Sequence, residues 1–170
     1  VLDDQGKIIR RKIFDFKDNT YFNALTKTQS NQLLVAGTTY NKYSGHHNGF
    51  KAILNANWDL TQKKEFFEQI DNIIEAHALE NGDRVLGTYI DGGPPVCGVS
   101  RVDKMGKIIW AKATSHSSDA TVHCHSFLQT KDNHFILFEG RSDWNMPLFG
   151  KIHFSKMNSS GDILWQRSYP

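Results

Sequence analysis

Three side chains in this 170-residue sequence have the types and spacing for metal chemistry: His123, His125 and Glu75. His123 and His125 flank Cys124 at a spacing of two, which in a β-strand turns both imidazoles to one face. Two imidazoles and a carboxylate suit zinc or another transition metal. Glu75, with His77 beside it, is offered by a segment about fifty residues earlier. The competing reading is that polar residues on inner strands line a water-filled channel. The pattern predicts no cofactor, and a divalent metal is the exception this triplet leaves open.

A second set has binding chemistry without a nucleophile or an acid–base pair. His46, His47, Asp91, His116, Trp144 and Met146 fall in polar stretches between apolar runs. Trp144, with Tyr43 in the same stretches, supplies flat apolar contact, and histidines supply hydrogen bonds whose sense can change with the partner. No Ser-His-Asp spacing, phosphate-cradling glycine loop or paired-carboxylate signature is present.

The elements that must position these residues are set by repetition. Val102-Asp103-Lys104-Met105-Gly106-Lys107-Ile108-Ile109-Trp110 is a turn followed by a strand, and Met157-Asn158-Ser159-Ser160-Gly161-Asp162-Ile163-Leu164-Trp165 repeats it. Leu2-Asp3-Asp4-Gln5-Gly6-Lys7-Ile8-Ile9 is a third copy, and Asn55-Ala56-Asn57-Trp58-Asp59-Leu60 is a worn fourth. An Asp or Asn that hydrogen-bonds its own backbone, followed three residues later by a glycine free to take positive φ, is turn chemistry. The corners at 6, 58, 106 and 161 are 52, 48 and 55 residues apart. Ser30, Gly82 and Asp132, at the head of a second series of turn-then-strand phrases, are 52 and 50 apart. A shared period near fifty predicts repeated supersecondary units. The units are expected at 1–16 (the end of one), 20–67, 71–116 and 120–170, each complete one with four strands. The segment from Lys63 to Ala78 can be drawn at helical spacing, but the repeat register predicts two strands there with a loop at 68–71.

The D-x-x-G-x-x-x-W corner resembles the blade signature of quinoprotein-like β-propellers, in which the tryptophan packs between blades. The resemblance implies an all-β propeller of four-stranded antiparallel blades, present here as an incomplete ring of three blades and a half. It predicts that Trp110 and Trp165 are largely buried. It also implies an extracytoplasmic or secreted setting. The cofactor ligands of the quinone-dependent members have no matching motif here, so none is carried over. Three and a half blades leave raw sheet edges, so the remainder of a longer chain or a second copy is expected as a partner.

On a meander of four strands the short turns emerge on one side and the longer connections on the other. The longer ones are 41–48, 91–95 and 142–147, with links between units at 15–20, 68–71 and 115–120. Binding residues concentrate on loops held by a rigid scaffold, which places the second residue set on this face.

Composition excludes several classes. A net charge of +2 without long like-charge runs argues against nucleic acid or an anionic membrane as partner. No apolar run approaches the ~20 residues of a membrane helix. Lys12, Lys64, Lys112 and Arg167 recur two residues beyond the tryptophan position, a basic stripe that protects strand edges. Asn158-Ser159-Ser160 fits a glycosylation acceptor but coincides with a corner turn. Cys97 and Cys124 are expected to be free and buried, on strands of different units. The sequence therefore favours a non-enzymatic binding or scaffold propeller that engages a protein or glycan on its long-loop face. The second reading is a propeller-type enzyme, metal- or quinone-dependent, with its site in the central channel.

Overall fold

A computed structural model describes residues 4–8, 12–14, 19–41, 45–66, 70, 72–90, 96–114, 120–143 and 146–170. Among them there is no helix, and twelve strands form three separate four-stranded antiparallel sheets, none closed into a barrel. The first sheet holds β1 (Asn19–Lys27), β2 (Leu33–Asn41), β3 (His46–Leu54) and β4 (Leu60–Phe66). The second holds β5 (Asn72–Ala78), β6 (Arg84–Ile90), β7 (Val96–Val102) and β8 (Ile108–Ala113). The third holds β9 (Ala120–Gln129), β10 (Phe135–Asp143), β11 (Met146–Met157) and β12 (Ile163–Tyr169). Strands within each sheet pair in chain order, so each sheet is a meander.

The corner phrases fold alike because their leading side chain does one job. Asn55 Oδ1 accepts the backbone N–H of Asn57 and Asp59, Asp103 Oδ1 those of Met105 and Lys107, and Asn158 Oδ1 those of Ser160 and Asp162, all at 2.8–2.9 Å. The residue three beyond each is left-handed: Trp58 at φ 65°, Gly106 at 90° and Gly161 at 82°. The worn copy keeps the geometry with a tryptophan where glycine is preferred, a conformation uncommon for a bulky residue. The other turn series is left-handed at Asn31, Gly82 and Asn133. These stand 51 residues apart at both steps, so the register differs by one from the Ser30, Gly82, Asp132 alignment at its first and last members.

That one residue matters on the inner strands. Each carries a bulge, one unpaired residue opposite its neighbour: Asn23 in β1, Ile74 in β5 and His125 in β9. The equivalent of His125 in the second sheet is thus Ile74, and Glu75 falls one place later.

Two apolar seams join the sheets. Leu34, Ala36, Ile53, Phe66, Ile70, Ile73, Ala76, Leu86 and Val102 form the first, between sheets one and two. Val85, Cys97, Val99, Cys124, Phe127, Phe135, Leu137 and Met157 form the second, between sheets two and three. Cys97 and Cys124 are buried as expected but are not free. They form a disulfide with Cα atoms 5.4 Å apart, because the face of β7 meets β9 of the next sheet across the seam. Sequence register tracks neighbours within a sheet and is silent about this cross-sheet proximity.

Trp110 is partly buried and packs on the second seam. Trp165 is 38% exposed, against expectation, with the Arg167 guanidinium carbon 5.5 Å from the centre of its ring.

Candidate functional site

Of the connections expected as long loops, 41–48 and 142–147 carry strand residues at both ends. Asn41 pairs with His46 and Tyr40 with His47, so β2 and β3 stay paired out to Asn41 and His46, and Gly45 beside them is left-handed at φ 73°. Likewise Asp143 pairs with Met146 at the end of β10 and β11. His46, His47 and Met146 therefore sit on strand ends. Asp91, His116 and Trp144 lie outside the described residues, as do the side chains of His46 and Met146.

His47 is the member of that set with a described side chain. It is exposed, and its ring lies 5.1 Å from that of Tyr40 at an angle of 47°. Sequence reasoning missed Tyr40 because it borders the stretch 41–48 expected as a loop, whereas its pairing with His47 turns both rings to one face. An aromatic ring with an adjoining imidazole on a rigid ribbon offers a flat apolar surface and a hydrogen-bonding edge side by side.

The inner-strand residues are placed differently. The Glu75 carboxylate crosses the second seam: its Oε2 accepts the backbone N–H of Phe127 at 2.7 Å and the hydroxyl of Ser126 at 2.8 Å. Its Oε1 lies 3.3 Å from His77 Nε2, and the His77 ring packs 4.6 Å from the ring of Phe127. Glu75 thus ties two sheets together. His125, at the bulge, is exposed and lies 5.2 Å from the Phe138 ring. Gly140 makes room for it, since a Cβ there would come within 2.8 Å of His125 Nε2. The side chain of His123 lies outside the described residues. Among the described residues no three His, Cys, Asp or Glu side chains converge as a metal site would require. Cys124 is committed to its disulfide.

Charge is buried near the first seam. Lys51 is fully buried, and its Nζ donates to the Lys104 carbonyl at 2.9 Å. Burial, then the nearby Arg84 guanidinium, pushes its pKa down to about 8 against the opposing pull of Asp103. Burial likewise lowers Arg84. An apolar hollow of about 540 Å³ opens at the far side of the first sheet, lined in part by Ile13, Phe14, Phe22, Leu25 and Val35, away from the expected binding residues.

No family model and no curated protein matches this chain. Solved structures do. A protein of unknown function from Dyadobacter fermentans DSM 18053 superposes with a TM-score of 0.58 at 16% identity, over 84% of this chain and 39% of that one. An ulvan lyase of polysaccharide lyase family PL25 superposes with a TM-score of 0.57 at 12% identity, over 94% of this chain and 44% of the lyase. The same enzyme bound to -[GlcA(1-4)Rha3S]- matches equally well. The chain therefore spans about two fifths of the length of these structures. At such identities the likeness concerns the fold alone: repeated four-stranded antiparallel sheets packed face to face.

Proposed function

We propose that this chain is a segment of a β-propeller of the D-x-x-G-x-x-x-W type that binds a glycan at the end of its sheets where β2 turns into β3. The observation that carries the reading is the Tyr40–His47 ring pair held on a paired ribbon. Sugar rings present apolar C–H faces edged with hydroxyls, and an aromatic face beside an imidazole matches both parts. The fold likeness to a polysaccharide lyase supports a glycan over a protein ligand. The disulfide supports an oxidising, extracytoplasmic setting, where polysaccharides are met. Glu75 serves as a strut between sheets, which favours binding over metal chemistry.

Calorimetric titration with oligosaccharides of the GlcA(1-4)Rha3S repeat tests this. Saturable binding is expected, and Tyr40→Ala or His47→Ala should weaken it about tenfold, a loss of ~1.4 kcal/mol. Absence of binding, or binding indifferent to both substitutions, would overturn the reading. Release of unsaturated sugar ends during titration would replace it with a lyase.

A further inference from the structure

The first seam buries two cations in places where the second seam buries hydrocarbon. Lys51 stands seven residues before the left-handed Trp58, and Val99 stands seven before the left-handed Gly106. Arg84 stands two residues beyond the left-handed Gly82, and Phe135 two beyond the left-handed Asn133. Val99 and Phe135 are buried together in the second seam. Lys51 is 0% exposed and Arg84 7%, so the same pair of places in the first seam holds two positive charges. The fold accepts apolar side chains there, and a buried charge without a partner costs far more than a buried hydrocarbon. Packing alone therefore does not account for the pair.

The donors of these cations are left over. Arg84 Nε and Nη1 are buried and have no hydrogen-bond partner among the described residues. The Lys51 ammonium carries three N–H groups and meets two acceptors, the Lys104 carbonyl at 2.9 Å and Gln62 Oε1 at 3.4 Å. Neither cation has an ion pair among the described residues. Asp83 is engaged by Arg101 at 2.7 Å, and Asp103 Oδ1 accepts two backbone N–H groups of its own turn. Both cations flank that turn. Arg84 pairs with Val102, the residue before Asp103, and a Cβ at Gly106 would come within 2.8 Å of Lys51 Cε. Asp103 acts electrostatically on each of them, and Arg84 acts on Lys51. Two cations beside one carboxylate leave one positive charge over. Ser100, two residues before Val102 and so on the same face of β7, is fully buried with its hydroxyl also unpartnered. Its counterpart in the third sheet, Ser155, accepts a hydrogen bond from Gln166 at 2.9 Å, whereas Ser100 pairs across the sheet with Ala111, which has nothing to donate.

We propose that the first seam binds one small monovalent anion, a halide such as chloride, between the Lys51 ammonium and the Arg84 guanidinium, tying the first sheet to the second. One negative charge completes the balance, and packing that leaves no room for a methyl group at Gly106 admits a single-atom ion where a bulkier anion would not fit. The site is separate from Tyr40 and His47, and its failure would leave the glycan reading untouched.

Thermal unfolding in sodium bromide and in sodium gluconate, at one ionic strength and neutral pH, tests it. Bromide should raise the midpoint by about 3–5 °C over gluconate once its concentration reaches about ten times its dissociation constant. Lys51→Met and Arg84→Met, which imitate the apolar second seam, should each abolish the difference between the two salts, whatever they do to the midpoint itself. Lys112→Gln, at an exposed lysine of the second seam, should preserve it. In gluconate, burial and then Arg84 hold the Lys51 pKa at about 8, with Asp103 raising it and Lys64 lowering it. A bound anion draws it upward, so the bromide increment should shrink as pH rises past 8. Crystals of the unaltered chain grown in bromide should show an anomalous peak touching both Lys51 Nζ and the Arg84 guanidinium. Equal midpoints in the two salts would overturn the proposal. So would a bromide effect that survives both methionine substitutions, or water alone between the two cations.

Discussion

Leu25, Ala76 and Phe127 hold one position in three successive inner strands, 51 residues apart, and their surroundings differ completely. Leu25 is 67% exposed on the outer face of the first sheet, Ala76 is buried in the first seam, and Phe127 is 1% exposed in the second. The row one turn of the pleat earlier behaves the same way: Phe22 is half exposed, whereas Ile73 and Cys124 are buried. The local strand is equivalent each time. Burial here is supplied by the neighbouring sheet, and a repeat of this kind completes its core only by stacking. The comparison also explains why Trp110 is better covered than Trp165.

The largest way to break the comparison is to truncate both ends of the row. Phe127→Ala should cost about 3–5 kcal/mol in denaturant unfolding, because its ring fills the second seam against Phe135 and His77. Leu25→Ala should stay within about 0.5 kcal/mol, as exposed substitutions do. Equal costs measured in dilute protein would mean that the outer face of the first sheet is covered in solution.

What the sequence disclosed, and what it hid, follows the same division. Strands and corners were legible because their causes are local. Asn55, Asp103 and Asn158 cap their own turns, and apolar alternation does the rest. The segment from Lys63 to Ala78 resolved as two strands, β4 and β5, because the period outweighs a chance helical spacing. Relations between sheets were not legible. The Cys97–Cys124 bond joins strands from different sheets, and Glu75 reaches the backbone of Phe127 across a seam. A bulge at Ile74 displaced Glu75 from the row of His125, and an inserted residue leaves no mark in a count of apolar positions. The Tyr40–His47 pair was hidden because 41–48 reads as a loop when β2 and β3 in fact pair to Asn41 and His46.

The two seams offer a sharper contrast of middle size. The second is tied by the disulfide across 27 residues of chain, and the first shows no disulfide. Loop-closure entropy for that span gives a loss of ~3.5 kcal/mol on reduction. Unfolding with and without reductant should show this loss, and amide exchange should then quicken in β9 more than in β1. Acceleration shared evenly among all three sheets would mean that the seams fail together.

The smallest effect separates the seams by charge. The first seam buries Lys51 beside Arg84, and its pKa falls from 10.5 to about 8 chiefly because burial penalises the cation. Between pH 8 and 10.5 the unfolded chain therefore binds more protons at this site than the folded one. Stability contributed by this site rises with pH through that window and is lowest below it. Lys51→Met removes the buried charge at the cost of the hydrogen bond to the Lys104 carbonyl. Relative to the unaltered chain, the variant should gain most near pH 7 and progressively less as pH approaches 10. Thermal unfolding of the two proteins at intervals across that range measures the gap. A gap that stays constant with pH would show that Lys51 keeps its ordinary affinity for a proton, and that water reaches the first seam where the packing of Gly106 on the lysine stem suggests it is shut out.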